Sequence, residues 1–240
     1  NLMAREYGIN PKRIEIIPHG IKLPEIDINM KNESKRDKNK KILFVSRLEK
    51  RKGISTLLEA IPKVLSKMHD LKFIIAGKDS GNRYENWFKN RYGEEYFTNV
   101  KFLGYVNNSE LERLYKECDL FVVPSLYESF GLVYVEAMSY SKPVIGCNVG
   151  GVAEIIDNGI NGIVIPSGDS GALTDAILKL VRNKELRQLL GNNARRKVKN
   201  SFSISKMVRN TLEIYQKILS EGGKMEDSLP VVLDIGGIGK

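Results

Sequence analysis

In the segment Pro124-Ser-Leu-Tyr-Glu-Ser-Phe-Gly-Leu-Val-Tyr-Val-Glu-Ala-Met138, two glutamates, Glu128 and Glu136, bracket the start of an apolar, helix-forming stretch at Phe130-Gly131-Leu132. The segment follows the apolar run Asp119-Leu-Phe-Val-Val123, which reads as a strand. A strand that ends in a loop and opens a helix leaves unpaired backbone N–H groups at the carboxyl edge of a sheet. Such a helix start attracts anions, phosphates above all. Gly131 carries no Cβ, so a ligand can approach the backbone closely there. Glu136 falls about one turn beyond Leu132, ~6 Å along the helix axis. A carboxylate at that depth is badly placed for a phosphate and well placed to accept hydrogen bonds from a neighbouring ribose diol.

A second candidate group follows another strand-like run. Ser46-Arg-Leu-Glu-Lys-Arg-Lys-Gly53 stands where a dinucleotide-binding domain would carry Gly-x-Gly-x-x-Gly. Here Arg47 and Lys52 can neutralise a diphosphate by charge-assisted hydrogen bonds; a solvated loop is the alternative, and Lys50 and Arg51 read as surface charges. Paired carboxylates such as Glu128 and Glu136 also suggest a glycoside hydrolase. That reading fails because Glu136 lies down a helix whose start would be filled by phosphate. Glu154 divides evenly between a ligand and a first-turn acid favoured by the helix dipole. His19 and His69 form no metal-spaced pair and no Asp-x-Asp follows a strand, so neither a metal nor a cofactor is expected.

These loops need a rigid frame. The pattern predicts strands near 42–46, 72–76, 100–103, 120–123, 143–147 and 162–165. Helices are predicted near 53–68, 83–96, 109–117, 131–140, 151–157, 170–182, 184–199 and 204–220. Nearly continuous apolar strands separated by helices indicate an α/β fold, a Rossmann-like parallel sheet with helices on both faces. Ligands of such sheets bind outside the strand carboxyl ends, where both candidate loops fall.

Composition narrows the classes. At 240 residues, with 42% hydrophobic and 28% charged residues, the chain has enough apolar material for a large core. No apolar run approaches ~18 residues, so no membrane span is expected. Cys118 and Cys147 lie in apolar surroundings and read as reduced core thiols. With no signal segment after Asn1, the expected location is cytoplasmic. The net charge of +9 falls largely in Lys31–Lys41 and around Arg195-Arg-Lys197, which read as a linker and solvated helix faces. No nucleic-acid module accompanies it, so nucleic acid is not expected as a partner. A peripheral contact with the inner face of a membrane stays open.

Taken in order, these motifs resemble the retaining glycosyltransferases of family four (glycosyl transferases group 1). The resemblance runs over about residues 10–215 through Leu43-Phe-Val-Ser-Arg-Leu48, Lys52-Gly53, Glu128 with Glu136-Ala-Met138, Lys142-Pro-Val-Ile145, Gly150-Gly-Val-Ala-Glu154 and Asn158-Gly-Ile-Asn-Gly162. It implies a GT-B architecture of two facing Rossmann-like domains, with this chain as the carboxy-terminal, donor-binding one. By the same resemblance Arg47 and Lys52 contact the donor pyrophosphate, and Glu128, the catalytic candidate, meets the donor sugar. Ser129, Phe130, Gly131 and Leu132 would serve the distal phosphate and sugar. Glu136 would hold the ribose, and Tyr105 and Val106 the nucleobase. Phe130 reads equally as core, and Tyr105 as a strand end packed on its neighbour. Ser46 departs from the family's usual Gly, and His19 from its usual Asn.

The implied division is residues 1–41 as the end of a missing amino-terminal domain with its hinge, 42–221 as the nucleotide-sugar-binding domain, and 222–240 as a disordered tail. Gly236-Gly-Ile-Gly-Lys240 resembles a phosphate loop but lacks the following Ser/Thr and helix. The expected function is the donor half of a metal-independent transferase using a UDP- or GDP-sugar, inactive without its acceptor-binding partner domain. A non-catalytic nucleotide-sugar module, a split-enzyme subunit and a GT-B sugar-nucleotide epimerase are the alternatives.

Overall fold

The computed structural model describes residues 6–25 and 39–220, together with the backbone of Val231–Val232. The basic run from Lys31 falls largely outside the described residues, as does most of the expected tail. Two short strands, β1 (Ile14–Glu15) and β8 (Val231–Val232), pair in parallel.

The main sheet holds β2 (Lys40–Val45), β3 (Leu71–Ala76), β4 (Val100–Gly104), β5 (Leu120–Val122), β6 (Val144–Cys147) and β7 (Gly162–Ile165). Every pairing is parallel, in the order β4-β3-β2-β5-β6-β7. All six lie where the apolar runs predict them. β5 and β6 are buried at every residue, so side chains are covered on both faces of the sheet, whereas the edge strand β4 buries only Val100 and then alternates exposed with half-buried positions. The helices are α1 (Ile54–Leu65), α2 (Arg83–Tyr92), α3 (Asn108–Glu117), α4 (Leu132–Ser139), α5 (Val152–Ile155), α6 (Ser170–Arg182), α7 (Lys184–Ser201) and α8 (Ile204–Ser220). α1 and α6 pack on each other through stripes such as Leu57, Ile61 and Val64 on one and Leu173, Ile177 and Leu180 on the other. Side-chain caps open four of them: Asn107 accepts from the Glu110 amide at 2.9 Å, Asp169 from the Ala172 amide and Asn183 from the Leu186 amide at 2.8 Å each, and Ser203 from the Lys206 amide at 3.3 Å. Helix α2 is shorter than predicted, closing at Gly93 into a 3-10 turn over Glu94–Thr98.

Part of the positive charge is structural. The buried Lys142 ammonium donates to the carbonyls of Lys116 (2.8 Å) and Cys118 (2.7 Å), closing the end of α3. Arg187 donates to Leu180 and Val181 at the end of α6. Arg195 and Lys197, expected on a solvated face, are both engaged. Arg195 donates to Ser139 O and, at 3.0 Å, to Pro24 O; Lys197 pairs with Asp157 at 2.8 Å. Charge counting along a helix misses such carbonyl acceptors because they come from distant elements. Cys118 and Cys147 are buried thiols outside any disulfide, and Cys118 Sγ donates to Tyr115 O at 3.5 Å.

Contacts gather the chain into two compact units, Pro24–Val198 and a second one built from residues up to Leu23 and from Lys199 onward. These borders differ from the expected 42–221. In the second unit, Ile21 N donates to Phe202 O at 2.8 Å, Ile204 N to Ile21 O at 3.0 Å, and the Gly20 amide to Met207 Sδ at 3.3 Å. No residue of α8 is buried, and Ile204, Val208, Leu212, Tyr215 and Leu219 form an exposed stripe at helical spacing.

Candidate functional site

The order of strands reverses between β2 and β5. From there β3 and β4 follow on one side, β6 and β7 on the other. A parallel sheet opens a crevice at the carboxyl ends of the two strands flanking that reversal. The loops leaving β2 and β5 there are Ser46–Gly53 and Val123–Gly131, the two that carry the candidate residues.

Backbone contacts lock the loops together. Leu126 N and Tyr127 N donate to Arg51 O at 2.8 and 3.3 Å. Gly53, at φ +71°, is the tightest point: a Cβ there would lie 1.8 Å from Pro124 O. On the other side Gly151 N donates to Glu128 O at 3.2 Å, and a Cβ on Gly150 would meet that oxygen at 1.9 Å. The glutamate loop is therefore clamped between the cationic turn and the Gly150-Gly151 backbone. This explains the chemistry-free part of both motifs.

Inside the clamp, Lys52 Nζ lies 2.7 Å from Glu128 Oε2, with the side chains only 14% and 10% exposed. The buried Ser125 hydroxyl donates more weakly to the same oxygen, at 3.4 Å. Arg47 stands at the exposed rim, 3.1 Å from Glu49, which Arg51 also holds at 2.8 Å. The Arg51 hydrogen bond, with the charges of Arg47 and Lys52 behind it, keeps the Glu49 carboxyl below its ordinary pKa. Arg47 and Arg51 thus hold one carboxylate at the mouth of the crevice, while Lys52 turns inward to Glu128.

Helix α4 begins directly after Gly131. Ser129 and Leu132 are exposed, whereas Phe130 is buried, so its ring belongs to the core. Tyr134, fully buried below, donates its hydroxyl to Val123 O and ties α4 to the end of β5. Glu136, one turn into α4, accepts a 2.8 Å hydrogen bond from Tyr115 of α3 through Oε2. Burial raises its pKa above the ordinary carboxylate value, and the Tyr115 bond opposes that rise.

Tyr105 is 83% exposed, which removes the packed strand-end reading, and Val106 is half-buried. With Leu48, Gly77, Asp79, Phe102 and Gly104, Tyr105 lines a pocket of about 150 Å³ beyond the ends of β3 and β4. Glu154 is exposed on the single turn of α5. Among the described residues no three His, Cys, Asp or Glu side chains gather closely enough to hold a metal ion, and no helix is long and apolar enough to cross a membrane. Sequence reasoning identified Lys52 and Glu128 separately but not as a pair. It missed Tyr115 and Ser125 altogether, because neither lies in a motif with a chemical signature of its own.

Comparison with known proteins agrees with this layout. Residues 25–197 match the family described as glycosyl transferases group 1. Over 221 residues the chain is 34% identical to the uncharacterized glycosyltransferase MJ1607 of Methanocaldococcus jannaschii, covering 88% of this chain and 56% of that protein. Sucrose-phosphate synthase from Thermosynechococcus elongatus superposes with a TM-score of 0.77 at 25% identity, over 92% of this chain and 56% of that one. Anabaena Alr3699/HepE, solved in complex with UDP-glucose, does so with a TM-score of 0.67 at 26% identity, over 75% and 49%. The chain spans about half the length of the curated relatives it matches. On the family match, the sequence identity and the shared sheet together, the chain belongs to the glycosyl transferases group 1 family, of GT-B architecture.

Proposed function

We propose that this chain is the donor-binding half of a retaining, metal-independent glycosyltransferase of family four that takes its sugar from a nucleotide diphosphate sugar, UDP- or GDP-linked. The observation that carries this reading is the sheltered Lys52–Glu128 pair at the strand-order reversal, directly before a helix start. A diphosphate entering the crevice meets the Lys52 ammonium, the Arg47 guanidinium and the first amides of α4. Charge that builds on the leaving diphosphate is stabilised there by groups already in place, an electrostatic contribution. Glu128 shares Lys52 and turns its remaining acceptor capacity to the sugar hydroxyls, fixing the sugar's orientation as the bond to phosphate breaks. Glu136 accepts from the ribose, and Tyr105 with Val106 borders the base. Ser129, Gly131 and Leu132 line the approach to the distal phosphate. In this reading the sheet's unit is the nucleotide-sugar domain.

The acceptor would be held by a facing domain. The apolar stripe of α8 and the coverage of only about half of the relatives' length support such a partner. The protein would work in the cytoplasm, with access to a membrane-borne acceptor at the inner face. A thermal-shift panel of UDP-, GDP- and ADP-sugars tests the reading. A rise in unfolding temperature with one nucleotide class is expected, growing with the logarithm of ligand concentration above Kd. No rise with any member at millimolar concentration overturns it.

A further inference from the structure

Glu136 does not stand alone, and its neighbour has a defined geometry. The Tyr115 hydroxyl donates to Glu136 Oε2 at 2.8 Å, while Oε1 accepts no hydrogen bond from the described residues. The Tyr115 ring is held rigidly. It stacks on Tyr140 at 5.8 Å with the planes only 16° apart, and tilts against Phe121 at 5.8 Å. Its helix is fixed as well. The Lys142 ammonium, buried, binds the carbonyls of Lys116 and Cys118, the residues on either side of the end of α3. Tyr115 itself is 2% exposed, so no ligand reaches its ring.

We infer that Tyr115 is a positioning residue for Glu136, committing one carboxylate oxygen so that the other is presented at a fixed angle to the ribose hydroxyls of the nucleotide. The inference rests on the proposed ribose role of Glu136. A carboxylate on a flexible glutamate side chain otherwise loses rotamer freedom when it binds. Here a rigid aromatic donor meets that ordering requirement before the ligand arrives. The bond also supplies the ionised form with a partner inside an environment that disfavours charge. Stacked tyrosines with a buried lysine behind them are more support than a helix surface needs, and the one polar atom they aim is the Tyr115 hydroxyl.

The test measures discrimination between ribose and a sugar without its diol. Calorimetric affinities of UDP and GDP are compared with those of their 2′,3′-dideoxy counterparts, in wild type, Tyr115→Phe, Glu136→Ala and the double variant. Wild type is expected to prefer the ribonucleotide by roughly ten- to a hundredfold, as for hydrogen bonds to a charged group. Tyr115→Phe keeps the ring and its stacking, so the protein should still fold, with only a modest fall in unfolding temperature from the lost hydrogen bond, and its pyrophosphate affinity should stay near wild type while the ribose preference falls about three- to tenfold, part of the same range. Glu136→Ala should abolish the preference, and adding Tyr115→Phe to it should change nothing further. A full preference in Tyr115→Phe, beside a lost one in Glu136→Ala, overturns the positioning role and leaves the nucleotide reading standing. Equal weakening of ribo- and dideoxynucleotides by Tyr115→Phe overturns it too, as a general structural effect. An unaltered preference in Glu136→Ala, or no binding of either nucleotide by wild type, removes the ribose role and this inference together.

Discussion

Removing the ammonium from the Lys52–Glu128 pair should cost the free protein stability before any ligand is considered. The pair sits at 2.7 Å with side chains 14% and 10% exposed, and the other donor to Glu128 Oε2 is Ser125 at 3.4 Å. Lys52→Met therefore strands a carboxylate in a nearly dry crevice. Breaking a fully buried pair on one side costs about 3–5 kcal/mol. Residual water access here reduces the expectation to about 2–3 kcal/mol, or a fall of ~4–12 °C in unfolding temperature for a domain of this size. Glu128→Gln retains an acceptor for Lys52 and should cost less. The double variant Lys52→Met/Glu128→Gln leaves no buried charge and should recover much of the single loss. Urea unfolding at neutral pH, without nucleotide, closes this double-mutant cycle. Coupling above ~1 kcal/mol is expected; additivity within ~0.5 kcal/mol would refute the claim that the two residues act as one unit.

Gly53→Ala should destabilise by about 2–4 kcal/mol, combining a left-handed backbone with a Cβ driven into Pro124 O; a loss below ~0.5 kcal/mol in urea unfolding would show that the two loops are not locked there. Glu136 has a folded pKa raised chiefly by burial, against Tyr115 and near the neutral Tyr140, so its stabilising contribution is full below its ordinary value of 4.5 and is lost as pH rises through the folded pKa. Glu136→Gln should accordingly be more stable than wild type at pH 7, the gap closing on acidification; a less stable variant at pH 7 contradicts the burial argument. Donor affinity should be the same with EDTA as with magnesium, and a strong loss on chelation would contradict the metal-independent mechanism.

The sheet was legible because Ile42–Val45 of β2, together with β5 and β6, are unbroken apolar runs, a pattern that survives whatever packs on them. The three last helices were equally plain from their periodicity. Candidate residues stand out in the sequence where chemistry and spacing coincide, as in Glu128 and Glu136. What stayed hidden depends on contacts between distant elements. Tyr115 meets Glu136 from another helix, Arg195 finds Pro24 O across the sequence, and the Arg51 carbonyl rather than its charge joins the two loops. The borders of the two units were hidden for the same reason, since Ile21 joins Phe202 and Ile204 only after folding.

The most direct test of the central claim, that the crevice between β2 and β5 holds a nucleotide's diphosphate, is calorimetry of the nucleoside diphosphate and of the nucleoside alone on wild type, Arg47→Ala and Lys52→Ala. Loss of a charged hydrogen-bond partner worth roughly 1.5–3 kcal/mol should weaken the diphosphate ~10–150-fold and leave the nucleoside almost unchanged. Diphosphate affinity equal to wild type in both variants would contradict the account.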